Sequence, residues 1–282
     1  MQRLSDVSQK KFVIVGELEP RNIRAGRLLR DAGYDAISIT ALPERNKNKG
    51  MSNSDISPNQ RSVIAAVQEA REQIISIATI TGRNFSPTDL EIAQENGVRN
   101  IIALKGDMPK GTEPNFKYGT ASLIHIIRKD YPDLAIGAVL RTQPGAEGLK
   151  LGINMARPKI QAGADFLVTD TIVNPDYKQR IKTTLKESHI DIPVFGDVGI
   201  LENTRNLENL EKRNIIISSG SAKKRLEQGQ SGVELAVEVA KKISSEVDGI
   251  WISPLLRRTT KPAKLLLEFY DRFSRIAVPQ IA

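Results

Sequence analysis

Short β-branched runs recur along the chain at 12–15 (FVIV), 36–40 (AISIT), 74–80 (IISIATI), 100–104 (NIIAL), 135–140 (AIGAVL), 165–169 (DFLVT), 193–198 (PVFGDV), 214–217 (NIII) and 249–252 (GIWI). Between them the apolar period lengthens to that of a helix. Residues 59–71 set Val63, Ile64, Val67 and Ala70 on one face, and residues 230–247 do the same with Val233, Val237, Ala240 and Val247. Continuous apolar strands alternating with amphipathic helices predict a parallel sheet covered by helices.

The punctuation agrees. Ser86-Pro87 and Asn174-Pro175 combine an N-cap residue with a proline at the first helical position, and Gly33, Gly97 and Gly163 stand where a helix must reverse into a strand. The stretches DAGYDAISIT (31–40) and QAGADFLVTD (161–170) repeat one theme, Ala-Gly-x-Asp leading into an apolar strand with a polar end. Nine runs exceed the eight of a closed barrel. The run at 214–217 is short and is followed by the polar SSGSAKKRLEQGQ, so it is set aside. An open dinucleotide-binding sheet would show G-x-G-x-x-G after an early strand, whereas the first strand here ends VGELEP. The expectation is an α/β fold, a single-domain (β/α)8 TIM barrel over residues 1–282. Residues 1–10 are read as an N-terminal extension, 44–60 as an exposed loop and 214–230 as an elaborated loop before strand eight.

Composition narrows the chemistry. The 282 residues are 40% hydrophobic and 26% charged, with no apolar run of the ~18 residues that a bilayer span needs. Without cysteine, and without the apolar core of a signal peptide near residue 1, the expected setting is the cytoplasm. His125 lies in a helical run and His189 at a helix end; no metal site is expected from them. The net charge of +8 is spread over many helices, and one Trp, five Tyr and seven Phe are few for base stacking, so an anionic small ligand is preferred to nucleic acid.

In such a barrel the reactive groups stand at the C-terminal ends of the strands. Those ends supply Glu17 and Glu19, Thr40, Thr79 and Thr81, then Lys105, Gly106 and Asp107, Arg141 and Gln143, Asp170, Asp197, and Arg257 with Arg258. Glu17 follows an apolar strand directly, with Pro20 stiffening the chain beyond it. Its carboxyl is expected in a partly enclosed mouth, where burial raises a pKa toward that of a general acid.

Two segments carry a family resemblance. GVRNIIALKGDMP (97–109) resembles the fourth-strand signature of the methylenetetrahydrofolate reductase family, and KIQAGADFLVTD (159–170) its sixth-strand stretch. Glu17 before a proline, SIT at 38–40 and GIWISPLLR (249–257) follow in matching order. The resemblance implies reduction of a methylene-tetrahydropterin to its methyl form, with FAD as carrier and NAD(P)H as donor. It implies Glu17 and Asp107 as catalytic carboxyls, Glu17 acting as the acid that protonates a pterin-side nitrogen. Thr40, Thr79, Lys105, Gly106, Asp107, Tyr118 and Lys159 fall at cofactor-binding positions, and Glu17, Asp107, Asp170 and Arg257 at substrate-binding ones. The chain departs from the family at Lys105, where arginine is usual, at ATIT (78–81), at VLRTQP (139–144) and at Asp170, where glutamine is usual. Most departures lie on the flavin side. Two other readings stay open: a phosphate-binding barrel that uses SSGSAKK (218–224), and a non-catalytic pterin-binding subunit. A homo-oligomer or a partner reductase subunit is compatible with each.

Overall fold

A computed structural model describes residues 2–40, 58–71, 74–83, 85–106, 118–142, 146–177, 180–212, 220–255 and 262–275. Eight parallel strands close in sequence order: β1 (Val13–Leu18), β2 (Ala36–Ile39), β3 (Ile75–Thr81), β4 (Asn100–Leu104), β5 (Ala135–Leu140), β6 (Phe166–Thr169), β7 (Val194–Ile200) and β8 (Gly249–Pro254), with β8 pairing back onto β1. Helix α1 (Leu4–Ser8) precedes the barrel. Helices α2 (Gly26–Ala32), α3 (Pro58–Arg71), α4 (Pro87–Glu95), α5 (Thr120–Asp130), α6 (Ala146–Gln161) and α7 (Ile181–Glu187) follow β1 to β6 in turn. After β7 come α8 (Thr204–Glu211), α9 (Gly220–Glu227) and α10 (Gly232–Ile243), and after β8 comes α11 (Pro262–Ser274).

The fold class matches expectation: the barrel closes on eight strands without 214–217, a run outside the described residues. Details differ. Val63 and Val67 are buried on α3, but Ile64 is 39% exposed, because one residue further round a helix turns its side chain off the inner face. Asn174-Pro175 forms a turn, closed by the Asp176 N–H donating to Asn174 Oδ1 at 2.9 Å, and the next helix begins only at Ile181. Residues 220–227, inside the expected loop, are helical.

Strand parity sorts the core into two layers. On β1, Val13 and Val15 join Ala36, Ile77, Ile102, Ala135, Phe166, Val168, Phe195 and Trp251 in the barrel interior, while Ile14 and Leu18 pack outward against the helices. The interior is filled by side chains, with the Phe166 and Phe195 rings edge-on at 5.6 Å. Leu4 from α1, fully buried, belongs to the same cluster. Its N–H donates to Asn100 Oδ1 at 2.7 Å, so residues read as an extension plug the N-terminal end of the barrel.

The Ala-Gly-x-Asp repeat has a structural cause. Gly33 and Gly163 end their helices with φ of 111° and 110°, a region that favours glycine. Two residues later the aspartate grips the preceding strand. The N–H of Asp35 donates to the Ile14 carbonyl at 3.0 Å while its Oδ2 accepts from Ile14 N–H at 2.8 Å. Asp165 does the same with Ile136, both at 2.7 Å, and Asp248 with Val194 at 2.7 and 2.9 Å. A cation backs each carboxylate: Lys11 on Asp35, Arg3 and Arg128 on Asp165, Lys182 on Asp248. These clamps join strand pairs at the end of the barrel associated with stability, opposite the end that carries chemistry.

Candidate active site

Continuing the interior parity of each strand to its C-terminal end names the groups that face the mouth. After Val15 comes Glu17; after Ala36, Ser38 and then Thr40; after Ile77, Thr79; after Val168, Asp170; after Phe195, Asp197; after Trp251, Ser253. An apolar barrel thus ends in a ring of carboxyls and hydroxyls.

Glu17 is half-buried, and its Oε2 lies 3.2 Å from both Trp251 Nε1, which donates to it, and Ser253 Oγ. The same Ser253 Oγ lies 2.7 Å from Oδ1 of buried Asp197. Thr171 Oγ1 donates to Asp197 Oδ2, and the Asp197 N–H donates to Thr169 Oγ1 at 2.9 Å. Burial pushes the Glu17 pKa up, and the charge of Glu19 adds to this; the hydrogen bonds from Trp251, Ser253 and Thr40 pull it back. Burial, then the neighbouring charge of Glu17, pushes Asp197 up to about 8 against the opposing bonds from Thr171 and Ser253. One wall of the mouth therefore holds protonatable acid at neutral pH.

The Thr40 and Thr79 hydroxyls meet at 3.2 Å on the neighbouring wall. Backbone pairing of β2 with β3 ends at Ile39 and Ala78, and α3 takes over beyond it. Ser62 Oγ donates to the Ile39 carbonyl at 2.6 Å and accepts from the Thr79 N–H at 2.8 Å, while Asn59 Oδ1 accepts from the Thr81 N–H at 3.0 Å. Two helix side chains thereby set the strand ends that carry the hydroxyls.

A second cluster gathers around Asp170. Arg141 Nη1 stands 3.2 Å from its Oδ1, and the Thr142 N–H donates to its Oδ2 at 3.2 Å. Lys159, on α6, donates from Nζ to the Val139 carbonyl at 2.6 Å. Burial raises the Asp170 pKa against the pull of Arg141, Thr142 and Lys159; burial and Arg141 lower that of Lys159, with Asp170 opposing. Helix α6 comes this close because Gly152 packs on the Arg141 carbonyl, where a Cβ would lie 1.8 Å from the oxygen.

The sequence-derived residues thus divide. Glu17, Thr40 and Thr79 converge, and Lys159 and Asp170 form the second cluster. Lys105 is exposed at the end of β4, with Gly106 beside it at φ 87° against the Thr81 side chain. Tyr118 is half-buried, edge-on to Phe85 at 6.1 Å, ahead of α5. Asp107 and Arg257 lie outside the described residues, as do Gln143, Arg258 and positions 218–219 of the serine-rich stretch. Lys223, within that stretch, pairs with Glu208 at 2.8 Å on the outer helices. His125 and His189 are exposed, on α5 and just after α7. The sequence reading assigned no role to Asp197, Ser253, Trp251 or Thr171. Parity along PVFGDV and GIWIS would have placed the first three beside Glu17.

Among the described residues no group of three or more His, Asp and Glu converges to hold a metal, and no helix is long and apolar enough to cross a membrane. The carboxyls and hydroxyls suit the ring N–H and amino groups of a pterin. A dinucleotide pyrophosphate needs converging cations or free backbone N–H groups. Of the cations at the mouth, Arg141 is engaged with Asp170 and Lys159 with a carbonyl, Lys105 is exposed at the end of β4, and Arg83 is buried just beyond β3. Arg141 and Lys159 are thus committed within the protein, to a carboxylate and to a carbonyl.

An eight-stranded parallel barrel with acids at the C-terminal mouth defines an α/β-barrel protein whose candidate site lies at the customary end. Within that class, the chain belongs to the methylenetetrahydrofolate reductase family, whose sequence model matches residues 50–263. Methylenetetrahydrofolate reductase 1 of Schizosaccharomyces pombe is 27% identical over 157 residues, 53% of this chain and 26% of that one. The 5,10-methylenetetrahydrofolate reductase of Pectobacterium carotovorum subsp. carotovorum is 27% identical over 124 residues, 42% of this chain and 41% of that one. The matched stretches thus span well under two thirds of these relatives. A solved protein from Clostridium thermocellum, described as binding two copies of 5-methyl-5,6,7,8-tetrahydrofolic acid, shares the fold with a TM-score of 0.62 at 13% identity, over 96% of this chain and 98% of that one.

Proposed function

We propose that this protein is an oxidoreductase that reduces a 5,10-methylene-tetrahydropterin, tetrahydrofolate or an analogue, to the 5-methyl form. One observation carries the reading: a carboxyl of raised pKa, Glu17, stands at the mouth of the barrel on the face that a ligand would meet. Family membership supports the substrate class.

The reaction consumes one hydride and one proton. No side chain supplies a hydride, so it comes from a cofactor, with NAD(P)H as the donor, and the protein's own groups bind, orient and protonate. FAD is the carrier that the family resemblance implies, and the protein's own groups act on the pterin. Glu17 gives its proton to the ring nitrogen that leaves the bridging methylene carbon as the five-membered ring opens. The carbon is left as an iminium on the other nitrogen, and hydride addition there forms the methyl group. Asp170 accepts from the pterin N–H and amino groups, with Arg141 holding the carboxylate in place. Thr40 and Thr79 offer hydroxyls to the ring on the opposite side of Glu17 from Ser253.

The test is anaerobic turnover of methylene-tetrahydropterins with NADH or NADPH, with and without added FAD, the methyl product being identified by mass and bound flavin by its visible spectrum. Absence of methyl product under every combination overturns the proposal. Glu17→Gln is expected to keep pterin binding within a few-fold and to lose roughly 10²- to 10⁴-fold in turnover, the usual worth of a general acid. Near-normal turnover would remove Glu17 from that role.

A further inference from the structure

Ser253 Oγ lies within hydrogen-bonding reach of two carboxyl oxygens, Glu17 Oε2 at 3.2 Å and Asp197 Oδ1 at 2.7 Å. A serine hydroxyl carries one hydrogen and can donate to only one of them. With both carboxyls ionised, the second contact would set an oxygen lone pair against an anion in a shielded site. A single proton on either carboxyl removes the conflict: it donates to Ser253 Oγ, and the serine hydrogen points to the other carboxylate. We infer that Asp197, Ser253 and Glu17 form a built-in proton relay, in which Asp197 holds a spare proton and passes it through the Ser253 hydroxyl to Glu17.

The geometry gives the relay a direction. The other partners are Trp251 Nε1 and the Thr40 hydroxyl on Glu17, Thr171 Oγ1 donating to Asp197 Oδ2, and Thr169 Oγ1 accepting from the Asp197 N–H. None of them can carry a proton between the two carboxyls, so the transferable one travels along Asp197 Oδ1, Ser253 Oγ and Glu17 Oε2. The charged groups bearing on Asp197 are Glu17 across the serine and Asp170 beside Thr171; both are negative and both favour its protonated form, as does burial. Glu19 acts on Glu17 in the same sense from the rim. Asp197 is therefore a positioning residue that acts through Ser253, and of the two carboxyls it is Glu17 that meets the substrate.

The step balances. At rest the shared proton sits on Asp197 and Glu17 is ionised; the Ser253 hydrogen moves to Glu17 Oε2 as the Asp197 proton moves to Ser253 Oγ, and Glu17 gives the proton so received to the substrate nitrogen. The serine is restored and both carboxyls are left ionised. Nothing is oxidised or reduced in the relay, and solvent returns one proton to Asp197 between turnovers. The relay so described rests on the pterin reduction proposed above, whereas the shared proton in the free protein does not.

Two measurements separate these. In the ligand-free protein, infrared difference spectra should show a protonated carboxylic acid band at neutral pH that fades as pH rises through about 8 and is absent from Asp197→Asn. Its position should respond to Glu17→Gln in the wild-type background and lose that response in Ser253→Ala. Absence of the band, its survival in Asp197→Asn, or an unchanged response in Ser253→Ala would overturn the shared proton, whatever the protein catalyses. In turnover, the alkaline limb of the kcat profile should lie near pH 8 in the wild type. It should move to lower pH in Asp197→Asn and Ser253→Ala, with turnover at neutral pH reduced about 10- to 100-fold as a general acid's supply is cut and pterin affinity within two-fold of wild type. Ser253→Thr, which keeps a hydroxyl, should restore the limb. Unmoved limbs with turnover within two-fold of wild type would reject the relay. Wild-type protein that turns over no pterin yet shows the infrared coupling would sink the assigned reaction and leave the shared proton standing.

Discussion

Burial sets the ionisation of an acid against its neighbours, and Glu17 and Asp197 show how differently two carboxyls of one site can be written in a sequence. Glu17 announced itself: a charged residue that ends an apolar strand and precedes a proline. Asp197, in the run PVFGDV, reads as one polar strand end among several, until parity with Phe195 turns it inward. Its elevated pKa has a consequence for stability. Below pH 3.8, the ordinary carboxyl value, the residue is protonated in both folded and unfolded chains, and its contribution is fully present. Between that value and about 8 the folded protein holds a proton that the unfolded chain has released, so stability falls as pH rises and the contribution is lost by the time pH passes the folded value. Asp197→Asn removes the ionisation. Urea denaturation should show the variant gaining on wild type between pH 5 and pH 9 by at least about 1 kcal/mol, since each pKa unit corresponds to roughly 1.4 kcal/mol. Parallel profiles would mean that Asp197 ionises normally.

Among the elements, the aspartate clamps connect a visible repeat to its physical cause. The sequence shows Asp35 and Asp165 in register with two strands, but not that each one reaches back to the strand before it. That partner is 21 residues away for Asp35 and 29 for Asp165, and becomes a neighbour only when parallel strands pair. Asp165→Ala would strand the Ile136 N–H and take the carboxylate from Arg3 and Arg128, the latter keeping its bonds to the Pro132, Leu134 and Gly163 carbonyls. A loss of about 2–4 kcal/mol in unfolding free energy is expected, from one charge-assisted hydrogen bond and one partly buried donor left unmet. Asp165→Asn should recover part of it, because an amide oxygen still accepts from Ile136. Ile64 and Asn174-Pro175 show the opposite case. A helical pattern admits a neighbour that faces outward, and a capping dipeptide serves a turn as well as a helix.

For the whole molecule, closure of the sheet decides what the chain's first described residues do. Leu4 is fully buried against the interior layer at the end of the barrel opposite the acids. Leu4→Ala is expected to lower thermal and urea stability by about 2–5 kcal/mol, the range for emptying a leucine site that cannot collapse. Ligand affinity at the mouth should change by less than two-fold, because the cavity opens at the far end. A matching loss of affinity would show that the two ends are coupled through the packed interior.

The succession of apolar runs and amphipathic helices was enough by itself to determine the barrel, because period and order are properties of the chain. So were the first acid, the hydroxyls at two strand ends and the family resemblance, since each is carried by a contiguous segment. Only the tertiary structure decided that Glu17 shares Ser253 with Asp197, and that Arg141 and Lys159 are turned to Asp170 and to a carbonyl. Those relations join residues from different strands and a covering helix, far apart in the chain. Hydrogen bonds and pKa values depend on distance and burial, and neither exists until the barrel has closed and its walls face one another.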